Sequence, residues 1–279
     1  MFSNVLYFII VLLILSISQH RGAPEDPLAY TMSMLVITWG IFAAYCRWGF
    51  QRLLRRLAEP LERTASSAEQ YHSLVFRLSV LAIFLFALDV HLFQLKAWLQ
   101  MIPGIRSFSV LQGLLAVAVF IFYQVTIWTF AFPAYRHLFP SAMTRRSFIV
   151  SNVKLNVPVL FPWATLSLIY DLIFLSPWRS LQSFMNRPEG EMLFFSFFLF
   201  ILMIFMPALI RTWWSCKPFP SSEKAAALRA FLKERNFKVR DLLRWPLFEG
   251  RIMTAGIMGM VQRFRYILIT EALMELLSI

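Results

Sequence analysis

Four ionisable side chains stand inside apolar runs of this chain: Arg77, Asp89, His91 and Asp171. A charge in hydrocarbon is costly, so such residues face a protein interior or water and are the first candidates for moving an ion or a proton. Asp89 and His91 are two positions apart, about 200° around a helix, so they cannot share one ligand directly. Lys96 and Trp98 follow closely and place that pair near a membrane interface, where interfacial or interhelical pairing is the plainer reading of Asp89, His91 and Asp171. Arg77 lies near enough to a span end to snorkel. The four histidines, His20, His72, His91 and His137, stand in unrelated places and none belongs to an H-E-x-x-H pair. No G-x-S-x-G, Walker-type loop or Cys/His zinc spacing accompanies them.

The elements that must position these groups are membrane helices. The 279 residues are 59% hydrophobic and include 29 Phe, outside the range of an ordinary soluble domain. Apolar runs recur at Val5–Ser18, Thr31–Cys46, Leu74–Leu95, Phe108–Phe132, Val157–Leu175 and Met192–Ile210, and each must be helical because lipid satisfies no backbone group. The first run is short enough for a signal-peptide core. Its start, Met1-Phe2-Ser3-Asn4, lacks positive charge, and Ser18-Gln19-His20-Arg21 is a poor cleavage site, so an uncleaved anchor is expected. The fold class is therefore an all-α polytopic bundle of about six spans over residues 1–210, followed by a small α+β segment over 211–279.

Basic residues orient the spans. The second loop carries Arg47, Arg52, Arg55, Arg56 and Arg63, and the fourth carries Arg136, Arg145, Arg146 and Lys154. The first, third and fifth carry Arg21, Lys96, Arg106, Arg179 and Arg187, so the alternation is nine against five. Both the N-terminus and the segment after Ile210 then fall on the cytoplasmic side of the inner membrane. Trp48, Trp98, Trp178, Trp213 and Trp214 sit near span ends, where amphipathic rings prefer the interface. The net charge of +12 lacks the basic groove and stacking pattern that nucleic acid requires, so the partner it implies is the lipid bilayer and no nucleic acid. Cys46 and Cys216 fall on the cytoplasmic side as free thiols. From Arg47 to Tyr71, Leu53, Leu54, Leu57 and Leu61 form one helical stripe among Arg52, Arg55, Arg56, Glu59, Glu62 and Arg63. That stripe reads as a solvated helix between spans or as one lying on anionic lipid.

Residues 211–279 hold 12 Lys/Arg and 6 Asp/Glu and no run long enough to cross a bilayer. Ser221 or Ser222 caps a helix running to about Arg235, with Leu228, Phe231 and Leu232 on one face. Asn236 suits the left-handed position that ends it. Lys238 to Trp245 is extended, Gly250, Gly256 and Gly259 punctuate a loop or irregular edge strand, Arg265 to Ile269 is a strand, and Thr270 caps a closing helix.

"CKPFPSSEKAAALRAFLKERNFKV" (Cys216 to Val239), "TAGIMG" (Thr254 to Gly259) and "RYILITEALMELLS" (Arg265 to Ser278), in that order, resemble the opening of the catalytic domain in the HtpX and CAAX-prenyl-protease family of membrane zinc metalloproteases. The resemblance covers about a quarter of the chain. It implies the start of a zincin fold, in which Thr254, Ala255, Gly256 and Gly259 form an edge strand that holds substrate backbone by strand addition. Thr254 stands where the family has Asn, and Gly256 where it usually has an aromatic; main-chain binding tolerates both changes.

In the family, an H-E-x-x-H helix and a downstream Glu hold zinc, and the Glu of the helix activates water. None of these residues is in this chain, so the resemblance assigns it no catalytic residue, no metal ligand and no cofactor, zinc belonging to a complete family member. The expectation is the membrane and pre-catalytic part of such a protease, ending before the active-site helix and inactive as it stands. Its partners are then membrane-protein substrates or peptides. A non-enzymatic membrane interaction or regulatory protein is the alternative, and a transporter using Asp89, His91 and Asp171 a third, though no repeat supports it.

Overall fold

A computed structural model describes residues 2–17, 24, 26–57, 65–139, 143–220, 222–246 and 253–276. Expectations resting on Ser18 to Arg21, Glu59, Leu61, Glu62, Arg63, Ser221, Gly250 and Leu277 to Ile279 lie outside the described residues. The helices are α1 (Phe2–Ile17), α2 (Leu28–Leu57), α3 (Ala65–His91), α4 (Leu95–Met101), α5 (Ser109–Leu138), α6 (Arg145–Asn156), α7 (Leu160–Leu175), α8 (Arg179–Met185) and α9 (Pro188–Trp213). Then come β1 (Lys217–Pro218), α10 (Glu223–Glu234), β2 (Asp241–Arg244), β3 (Ala255–Met258), β4 (Tyr266–Ile269) and α11 (Glu271–Leu276). Five helical stretches are long and apolar enough to cross a bilayer: α2, residues 67–91 of α3, α5, the α6–α7 stretch and α9. The sixth expected span, α1, has 16 residues. It rises about 24 Å, short of a hydrocarbon core of about 30 Å.

The chain divides into two compact units, Met1–Asn152 with Val159–Leu175, and Val153–Pro158 with Ser176–Ile279. In the first, α5 is the central helix, packing against α1, α2, α3, α4 and α7. Half of its apolar window is buried, against 11% in α2. Small residues let neighbours approach it closely: Ala116, Ala131 and Ala134 are fully covered. At Gly113 a Cβ would come within 2.5 Å of the Trp163 ring of α7. Phe42, Phe50, Phe86 and Phe120 fill the layers between helices.

Among the described residues no separate helix stands between Arg47 and Tyr71. α2 continues unbroken to Leu57, and α3 already runs at Ala65. Leu53 and Leu57 are buried in the core of this unit, with Leu54 packed against it. Of the stripe, Leu53 and Leu57 are thus covered by protein, with Leu54 partly so.

The second unit does not begin at residue 211; α8 and α9 belong with the sheet. Pro158 has no N–H, which leaves the carbonyl of Lys154 without its helical donor. The indole N–H groups of Trp213 and Trp214 donate to it instead, at 3.0 and 2.8 Å. Trp214 in turn stacks on Trp245, and Phe205 of α9 packs on Phe264. The Arg211 guanidinium lies over the Tyr266 ring at 5.3 Å.

The sheet has the order β1-β2-β4-β3, with β2 and β4 parallel and the outer pairs antiparallel. All four residues of β4 are buried, and β4 is paired on both sides. α10 starts where the Ser222 hydroxyl accepts from the Ala225 N–H at 3.2 Å. It ends on Asn236 at φ 52°, with Phe237 N–H donating to Leu232 and Asn236 N–H to Lys233. These two bonds are the paired closing bonds of a left-handed helix stop. Leu228 and Leu232 pack on the sheet beside Leu242, Ile267 and Ile269. Phe231, expected on the same face, is 52% exposed, because one residue turns it about 100° away from Leu232.

Thr270 also differs from its expected role as a cap. Its hydroxyl accepts from the Thr254 N–H and donates to the Thr254 carbonyl, both at 3.1 Å. The Thr270 N–H donates to the same carbonyl at 3.1 Å. The side chain is fully buried and clamps the start of β3 onto the end of β4. Thr270→Val keeps the shape and removes both hydroxyl bonds. The expected cost is about 1–3 kcal/mol, read as a roughly ten- to hundredfold loss of amide-exchange protection across β3 and β4. Unchanged protection there would refute the clamp.

Candidate functional site

Of the residues singled out in the sequence, Thr254, Ala255, Gly256 and Gly259 come together at one edge of the sheet. β3 pairs with β4 on one side, and no described strand pairs with the other. Because the Thr254 carbonyl is held by β4, the alternation of an antiparallel ladder turns Gly256 and Met258 to β4 as well. The N–H and C=O groups of Ala255 and Ile257 then point to the open edge. Ala255 is exposed and Ile257 is 64% exposed. A Cβ added at Gly256 meets nothing within 4 Å, so its departure from an aromatic is not imposed by packing. Gly259 is different: at φ +105°, a Cβ would come within 2.2 Å of the Phe264 carbonyl oxygen. It ends the strand in a turn that the Arg265 guanidinium braces by donating to the Gly259 and Met260 carbonyls.

Asp89, His91 and Asp171 do not form one site. Asp89 is fully buried and accepts from the Tyr123 hydroxyl at 2.9 Å on Oδ2. His91, on the same helix, is exposed. Asp171 accepts from the Val110 backbone N–H at 2.8 Å. It therefore caps the N-terminus of α5 from another helix, where Phe108 at the cap position offers no side-chain acceptor. Val110 and Tyr123 are 13 residues apart, about 20 Å along α5, which separates the two carboxyl groups.

Further polar side chains pair between α2, α3 and α5, and of these sequence reading found Asp89 alone. Thr38 lies 3.5 Å from the Tyr123 hydroxyl. Trp39 donates to Thr126 at 3.0 Å, and Ser79 donates to Gln124 at 3.4 Å. Among the described residues, Asp89 Oδ1 and Gln124 Nε2 have no partner. The signal was present as the adjacent polar pair Tyr123-Gln124 inside the most apolar stretch of α5. Attention to formal charge alone passed over it.

A zinc site does not fit the residues described. No group of three or more His, Cys, Asp or Glu side chains comes together among them. His72, His91 and His137 are exposed on α3 and α5, and none belongs to the unit that holds the sheet. Cys46 and Cys216 are buried free thiols. Burial pushes the Cys216 thiol up to about 11, with Arg211 pulling it the other way. Compared with family models, curated proteins and solved structures, the chain matches none.

Both the buried bond and the buried thiol are open to test. Tyr123→Phe strips the buried Asp89 carboxyl of its donor and is expected to destabilise the solubilised protein by about 1 kcal/mol. Asp89→Asn keeps an acceptor oxygen for Tyr123 and is expected to cost less. Thermal unfolding in detergent checks the order, and the reverse order would contradict the bond. Cys216, protonated at neutral pH, is expected to resist iodoacetamide at pH 8 and to react as pH approaches 11; rapid modification at pH 8 would contradict its burial.

Proposed function

We propose that this chain is an integral membrane protein whose α+β module captures an extended segment of a membrane protein or peptide on the open edge of β3. The observation that carries the reading is the outward alternation of Ala255 and Ile257 main-chain groups beside an uncrowded Gly256. Strand addition needs only those main-chain donors and acceptors, with side-chain pockets adding selectivity. The order of elements from α10 to α11 supports descent from the HtpX and CAAX-prenyl-protease type, where the same edge presents substrate for cutting. The described residues contribute the holding part of that chemistry. No hydrolytic step is assigned to them, since they bring no zinc ligands together.

The orientation that goes with this reading puts the module at the cytoplasmic face of the inner membrane, on the charge asymmetry of the loops. An enzyme and a non-enzymatic regulator share this peptide-holding edge and differ in the fate of the captured segment.

Ile257→Pro tests the edge. It removes an outward N–H at a position where an edge strand tolerates proline. The full chain in detergent is expected to bind an alternating apolar and polar decapeptide by fluorescence anisotropy. The substitution is expected to weaken that binding about tenfold or more while the unfolding midpoint holds. Met258→Pro, which loses a bond to β4, is expected to lower the midpoint instead. Equal peptide binding by wild type and Ile257→Pro would sink the proposal.

A further inference from the structure

Between α2 and α3 of the first unit lies a groove of about 840 Å³. The two helices run past each other in opposite directions there: the Phe50 ring meets Tyr71, and a Cβ on Gly49 would touch Leu74. Moving along α2 from Arg56 back to Tyr45 therefore means moving along α3 from Glu69 forward to Leu81. The groove is thus graded end to end. Arg52 and Arg56 line one end, where Glu69 is the carboxylate among the described lining residues, and Leu78 and Leu81 line the other; Arg77 stands between Leu74 and Leu78, and a helical side chain there leans back toward the Arg52 end.

The depth of each end comes from the sequence of α2. Leu28 to Cys46 contains no charged residue, and arginines begin at Arg47. The helix has 30 residues. It is about 45 Å long, so about 15 Å of it extends beyond a hydrocarbon core of about 30 Å. Trp48 marks the interface, stacked on Tyr45 at 5.9 Å with the Arg52 guanidinium over its ring at 5.5 Å. Arg52 and Arg56 then stand at headgroup level and Leu78 and Leu81 at acyl-chain level, with the headgroups within reach of a snorkelling Arg77 side chain.

None of the three arginines is held in an ion pair among the described residues. The pairs found there are Arg229–Asp241 and Arg244–Glu271, and neither involves this groove. Among the described residues, three guanidinium groups stand against one carboxylate, and their forked donors match phosphate oxygens. Positive head, aromatic collar and apolar wall together match one kind of molecule.

We propose that this groove is a specific binding site for an anionic phospholipid, its phosphate on Arg52, Arg56 and Arg77 and one acyl chain along Leu74, Leu78 and Leu81. It differs from general attraction of basic loops to a charged surface, because a defined cleft between two helices supplies both the cations and the apolar wall. The site is independent of the sheet edge and of whatever that edge binds.

Native mass spectrometry of the full chain in a mild non-ionic detergent tests it. The protein is titrated with dioleoyl-phosphatidylglycerol, with dioleoyl-phosphatidylcholine and with glycerol phosphate. One phosphatidylglycerol is expected to bind at least about tenfold more tightly than phosphatidylcholine, and glycerol phosphate is expected not to displace it. R52Q/R56Q/R77Q is expected to lose about tenfold or more of that affinity, while R145Q/R146Q, which removes two charges elsewhere, keeps it. Equal binding of the two lipids, or equal loss in the two variants, overturns the proposal in favour of diffuse surface charge. Displacement by glycerol phosphate overturns it in favour of a soluble phosphate ligand. Should the triple substitution fail to give monodisperse protein, Arg77→Gln alone decides, against Arg77→Lys as the charge-retaining control.

Discussion

The first unit depends on one constraint: α5 is surrounded by other helices in a setting where water is not available to its polar groups. Several of its polar groups are therefore met by neighbouring helices, and the neighbours differ along its length. At its N-terminus Asp171 takes the Val110 N–H, thirteen residues on Asp89 takes the Tyr123 hydroxyl, and Trp39 donates to Thr126. Turning α5 by one residue, about 100°, would break all three bonds at once and drive the Trp163 ring into a side chain in place of Gly113. Apolar packing alone is nearly indifferent to such a rotation, because lipid and leucine are equally apolar. These few polar contacts select the register that the phenylalanine layers then fill.

In the α+β module β4 plays the corresponding part through main-chain bonds. It pairs parallel with β2 and antiparallel with β3, and its buried side chains form the floor on which α10 lies. The Thr270 hydroxyl extends the β3–β4 ladder by one rung made with a side chain. The arrangement satisfies everything on the inner side of β3 and leaves its outer side unanswered by any described strand. Proteins keep such edges short or charged to avoid unwanted pairing. Here the edge has four residues and ends abruptly at Gly259, yet Ile257, Met260 and Val261 beside it are exposed and apolar. Shortness limits uncontrolled stacking, and the apolar flank gives a correctly sized strand something to pack on.

How much was legible in the sequence depends on how local each signal is. The cap at Ser222, the left-handed stop at Asn236 and the strand from Tyr266 rest on residues within a turn of one another, and each appears where local chemistry places it. The Thr270 hydroxyl was misassigned because its partner, Thr254, is sixteen residues away and only the sheet brings them together. Asp171 was visible as a charge in an apolar run, but its role as a cap requires knowing that α7 ends beside the start of α5. The leucines near Arg52 show the same limit: a stripe at helical spacing says that a face is covered and not by what. The grouping of α9 with the sheet was invisible for a related reason. It turns on Lys154, whose carbonyl is freed by Pro158 and claimed by two indoles some sixty residues later.

The net charge of +12, read in the sequence as an alternation between loops, is divided in the structure by what the arginines touch. In the second unit most of those around the sheet are structural braces. Arg211 and Arg240 lie over Tyr266, Arg229 and Arg244 are in ion pairs, and Arg265 holds three carbonyl groups of the turns around it. Their number reflects the many turn carbonyls and aromatic faces that a small sheet with short strands must cover. Arg56 and Arg77 of the first unit have no such partner among the described residues, although they stand on helices with well-packed buried faces. A guanidinium near a membrane interface that braces nothing inside the protein has its most favourable partner among the phosphates outside it. The same residue type thus performs two physically separate tasks, and burial of its surroundings, more than its count or position in a loop, distinguishes them.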